Sequence, residues 1–189
     1  LYSVETGQGA ARYGATAENH AALWVLSMQG RTTAPYGDVR SATPIAPAFS
    51  PDGRWVAYAS TEGGKQTVYV QPFPATGAKY QLVAKGVDLP SHPVWSPDGR
   101  ELFVNPRPLG LDVVPITTTP AFAFGNATPV PRPFQLSPPE QRRAYDITPD
   151  GRFVARLPPN SESYGASVDP VQVVLNWFEE LRTRVPASR

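Results

Sequence analysis

The chain has 189 residues, 17 Lys and Arg against 16 Asp and Glu, a net charge of +1, and 41% apolar residues. That supplies the core of one soluble domain, and a balanced charge with no basic stripe excludes a nucleic-acid surface. With no cysteine there is no disulfide framework, thiolate nucleophile or cysteine metal site, and 23 prolines and 15 glycines set between short β-branched and aromatic runs predict many short strands joined by turns.

The chain opens "LYSVETGQGA", which has neither the basic start nor the apolar middle of a signal peptide, and no run of about 18 apolar residues follows. No insertion into a membrane is expected. The start at Leu1 rather than Met suggests a fragment, a processed form or further residues upstream. Two runs, residues 1–5 and 21–28, fit the second and third strands of an incomplete unit over residues 1–40. His20, just ahead of the second run, reads as a solvated loop histidine.

From residue 41 onward the chain repeats itself. "FSPDGRWVAYAS", "WSPDGRELFVNP" and "ITPDGRFVARLP" carry Asp52-Gly53, Asp98-Gly99 and Asp150-Gly151, spaced 46 and 52 residues apart. Each copy is a short apolar run, a Pro-Asp-Gly turn and a second apolar run. Proline presets φ, the Asp side chain bonds nearby backbone NH groups, and Gly accepts a positive φ, so each copy predicts a tight β-hairpin. A third run follows each hairpin, at residues 66–73, 111–116 and 171–178. A fourth completes the first copy at 79–84 and the second at 132–136. Four antiparallel strands per unit of roughly 40–50 residues is the arithmetic of a propeller blade.

The fold class expected is therefore all-β: a partial β-propeller of about three and a half four-stranded antiparallel blades. They occupy 1–40 (incomplete), 41–86, 87–137 and 138–178. A short C-terminal helix is expected over 176–186, capped by Asn176 with Glu179 in the capping-box position and stopped by Pro186.

"FSPDGRWVAY" and "WSPDGRELF" resemble the repeat of TolB-like β-propellers, relatives of the WD-repeat propellers. The tail "VVLNWFEELRTRVP" resembles the end of bacterial proteins, including many serine/threonine protein kinases, that carry such a propeller after the catalytic domain. The resemblance does not extend to kinase chemistry, because no Gly-rich loop with its lysine strand, no His-Arg-Asp and no Asp-Phe-Gly is present. It implies a binding or scaffold module belonging to a larger sensor-like protein, extracytoplasmic if it matches that family's sensor region and cytoplasmic otherwise.

In a propeller, the second-to-third strand connections and the links to the next blade, here residues 37–46, 85–93 and 137–145, gather at one channel mouth. The polar residues expected there are Glu62, Asp88, His92, Asn105, Glu140 and Arg142. A triad of Ser91, His92 and Asp88 is disfavoured, because adjacent side chains diverge on an extended chain. With two histidines in the chain, a His-rich zinc site is excluded.

The enzymatic alternative is a calcium-dependent hydrolase of lactones or small esters. Glu62, Asp88, Asn105 and Glu140 would hold the ion, and His92, Asp88 and Glu62 would be the catalytic candidates. The expected partners are a protein, a peptide or a small molecule at the mouth. An arc with open edges also predicts a second copy of the chain pairing along them.

Overall fold

A computed structural model describes residues 2–6, 20–83, 87–106, 110–131, 134 and 136–156, with backbone alone at 2–6 and 20. All regular structure among them is β, and none is a helix able to cross a membrane. The expected C-terminal helix and the run at 171–178 lie outside the described residues.

The first sheet is a three-stranded meander of β1 (Tyr2–Thr6), β2 (His20–Ser27) and β3 (Thr32–Ser41). Two expectations change here. His20 opens β2 opposite Thr6 instead of lying in a loop. Gly37 to Ser41, read as a link at the channel mouth, is the end of β3. Pro35, Gly37 and Asp38 give that stretch the look of a loop, yet Pro35 pairs with Trp24 and the β2–β3 pairing absorbs Gly37 and Asp38 in an irregularity where Gly37 takes φ 61°.

The second sheet is complete: β4 (Ala48–Phe49), β5 (Trp55–Ser60), β6 (Thr67–Pro72) and β7 (Tyr80–Gln81), hydrogen-bonded in that order. The third follows the same path with β8 (Ser91–Trp95), β9 (Glu101–Asn105) and β10 (Asp112–Thr117). The run at 132–136 lies largely outside the described residues. Two short pieces, β11 (Ala123–Phe124) and β12 (Thr128–Pro129), both pair with β10. The last described element is the hairpin of β13 (Tyr145–Ile147) and β14 (Phe153–Ala155).

The sheets are held face to face, and β5 shows why its sequence is apolar without a gap. Val56 and Tyr58 point to the first sheet, into a cluster with Leu23, Tyr36, Val39 and Ile45. Ala57 and Ala59 point the other way, into a cluster with Trp95, Leu102, Val104 and Val114 of the third sheet. A strand buried on both faces loses the apolar–polar alternation of a one-sided sheet. A third cluster, Val94, Leu111, Phe134, Leu136 and Tyr145, joins the third sheet to the β13–β14 hairpin.

Candidate functional site

The repeated turn is built the same way in its first two copies. Ser50 Oγ donates to Asp52 Oδ1 at 2.6 Å and accepts the Trp55 amide at 2.9 Å, while Asp52 Oδ1 accepts the Arg54 amide at 3.0 Å. Ser96, Asp98, Arg100 and Glu101 reproduce this at 2.6, 2.9 and 3.1 Å. The glycines sit at φ 70° and 71°, the left-handed region this turn requires.

The third copy closes one residue tighter. Thr148 faces Arg152, whereas Ser50 faces Trp55 and Ser96 faces Glu101. Thr148 still donates to the Asp150 carboxylate. These hydroxyl bonds set the acidity of the turn. The Ser50 hydroxyl first, then the Arg54 amide and guanidinium, draw Asp52 down to about 2; Thr148 and Arg152 do the same for Asp150; Ser96 lowers Asp98.

The three turns contribute to one groove. Pro51, Pro97 and Pro149 rim a groove of about 340 Å³ whose walls include Phe49, Val94, Trp95 and Ile147, with Arg143 and Asp146 at its side. The walls come from β4, β8 and β13, the first strand of each successive unit. One hydrogen bond ties this arrangement between the second and third sheets, from Trp95 Nε1 to the Ala48 carbonyl at 3.3 Å, and Gly99 comes near enough to Pro51 that a Cβ built on it would stand 3.5 Å from Pro51 Cδ. Phe49 is 37% exposed and braced edge-on by Phe73, with ring centres 5.0 Å apart. Arg143 is tied down: it bonds the Tyr145 and Pro93 carbonyls and stands 3.6 Å from Asp146.

The residues expected at the other ends of the strands lie apart from this groove. Glu62 lies between the first two sheets, 2.9 Å from Lys79 Nζ and within reach of the Tyr58 hydroxyl at 3.3 Å. Burial alone would pull the Lys79 ammonium down, but Glu62 and Asp38 outweigh it and raise its pKa. Asp88, Glu140 and Arg142 are exposed.

His92 and Asn105 are both in the core, with Asn105 Nδ2 3.4 Å from His92 Nδ1. Ser91 Oγ does reach His92 Nδ1, at 3.2 Å, because a bulge turns the two side chains toward each other. The other ring nitrogen, however, faces the Gln141 carbonyl at 2.8 Å, where a triad has its carboxylate, and His92 is 1% exposed. Among the described residues no three His, Asp or Glu side chains gather into one group.

The groove was not foreseen from sequence. Its signal was present in the three prolines, each of which the turn chemistry explained fully without reference to the others.

No family model matches the chain. Among solved structures, the fold is similar to that of TolB from Acinetobacter baumannii, with a TM-score of 0.52 and 15% sequence identity over 73% of this chain. The match spans 33% of the TolB chain, about a third of its length. Likeness at that identity is one of fold: the described residues form part of a TolB-like β-propeller.

Proposed function

We propose that this chain is a non-catalytic propeller-type module that binds an extended segment of a protein partner in the groove between β4, β8 and β13. The observation that carries the reading is the convergence of Pro51, Pro97 and Pro149 around Phe49, Trp95 and Ile147. Proline rings are rigid, so a rim made of them loses little conformational entropy when a partner covers it. Apolar residues with a few polar groups at the side are the usual lining of a recognition groove. The buried setting of His92, Ser91 and Asn105 supports a structural role for the polar residues nearest to a catalytic pattern.

A phage library of random linear peptides, selected on the full chain, tests the reading. Peptides that bind should lose about tenfold or more in affinity, roughly 1.4 kcal/mol, on Phe49→Ala and on Pro149→Asp, two changes at exposed or half-exposed groove positions. Selected peptides indifferent to both changes, or a selection that yields no binder, would refute it.

A further inference from the structure

β8 is not a regular strand. Between the pairs Ser91–Asn105 and Val94–Phe103, two residues, His92 and Pro93, stand opposite Val104 alone. Pro93 has no amide to offer the ladder, and His92 takes φ 50°, a left-handed backbone that a non-glycine residue keeps only where its surroundings hold it.

What holds it comes from the segment that leads into β13. His92 Nε2 bonds the Gln141 carbonyl at 2.8 Å, the Tyr145 hydroxyl donates to the His92 carbonyl at 2.9 Å, and Arg143 donates to the Pro93 carbonyl at 3.2 Å. The bulge is thus the clasp between the third sheet and the β13–β14 hairpin.

The clasp fixes the state of the ring. A carbonyl only accepts, so Nε2 carries the hydrogen, and Nδ1, facing Ser91 Oγ at 3.2 Å and Asn105 Nδ2 at 3.4 Å, is the acceptor of a neutral imidazole. A proton added at Nδ1 would turn the Asn105 amide nitrogen, itself a donor, against it, and would place a charge inside the core with Ser91 Oγ, which faces the Asn105 carbonyl at 3.4 Å, as its acceptor. We propose that the clasp is a proton-sensitive latch, in which protonation of His92 at Nδ1 releases the β13–β14 hairpin from the third sheet.

Among the described residues, the charged groups acting on the ring are Arg143, which opposes the added charge, and Glu140, which favours it; both lie on the segment the ring is clasped to. The phenol of Tyr145 completes the titratable groups in contact with the bulge. Burial is the largest influence and lowers the imidazole pKa, with the Gln141 carbonyl partly offsetting it. The closed latch therefore binds a proton less readily than the open one. Its advantage is complete above the ordinary histidine pKa of about 6.5 and declines about tenfold per pH unit as pH falls below that value, down to the lower pKa of the closed form.

Hydrogen–deuterium exchange on the full chain, expressed as protection factors corrected for intrinsic rate, tests this. Protection across Tyr145–Ile147 and Phe153–Ala155 should fall, by up to about fivefold, between pH values of about 6.5 and 5.5, while Val68 and Val70 in the second sheet hold. The fall should vanish in His92→Gln, whose amide still donates to Gln141 but does not titrate. If that variant does not fold, Asn105→Asp serves instead, because a carboxylate facing Nδ1 keeps the imidazolium inside the closed latch and removes the fall. Hairpin protection that ignores pH, or that falls equally in a folded variant, overturns the proposal.

Discussion

The hydroxyl of Ser50 holds two bonds at once, and so does that of Ser96: each donates to the turn aspartate and accepts the amide of the residue that opens the next strand. Both serines are buried, so deleting the oxygen strands an amide that water does not easily reach, at a cost of about 1–3 kcal/mol per turn. The same bonds hold Asp52, Asp98 and Asp150 below the usual carboxylate range. A carboxylate whose folded pKa is depressed adds stability that is fully present above its unfolded pKa of about 4 and is lost as pH falls toward about 2. Urea unfolding of a Ser50→Ala, Ser96→Ala, Thr148→Ala variant at neutral pH and near pH 3 measures both effects together. The variant should be less stable than the parent at neutral pH and should lose less on acidification; an unchanged loss would remove the turn aspartates from the acid response.

At the scale of elements, what was legible in the sequence was the hairpin. Pro-Asp-Gly between apolar runs is a local signal, and the three observed hairpins fall on the three copies. Edges were less legible. β11 and β12 are two residues each, too short to carry a periodicity, while the more apolar run at 132–136 drew the expectation of an edge strand. Burial on both sides also hides which face of β5 meets which neighbour, since Val56, Ala57, Tyr58 and Ala59 are all apolar. Val56 and Tyr58 face the first sheet, and Ala57 and Ala59 face the third. Ala57 is fully buried in the cluster with Trp95 and Leu102, so Ala57→Leu should destabilise the fold by about 1–3 kcal/mol even though it adds apolar surface. Val83, just past β7 and 81% exposed, should accept Asp with almost no change. Equal tolerance at the two positions in urea unfolding would contradict the face assignment.

At the scale of the whole described region, the sheets succeed one another as the blades of a TolB-like propeller, and each first strand meets the next. That juxtaposition, absent from any one repeat, is why the groove escaped the sequence. Pro51, Pro97 and Pro149 are far apart in the chain and line one groove because Trp95 of β8 shares an apolar cluster with β5 and bonds the Ala48 carbonyl, while His92 and Pro93 bond the segment around β13. The account rests on this meeting of repeats. Its most direct test is a nuclear Overhauser spectrum of the full chain, searched for a cross-peak between the Gly99 α protons and the Pro51 δ protons, since a Cβ built on Gly99 would stand 3.5 Å from Pro51 Cδ. The peak should be present, accompanied by one between the Trp95 indole N–H and the Ala48 side chain. A folded chain that shows the hairpins but neither peak would contradict the account, because the repeats would then form without meeting and no common groove would exist.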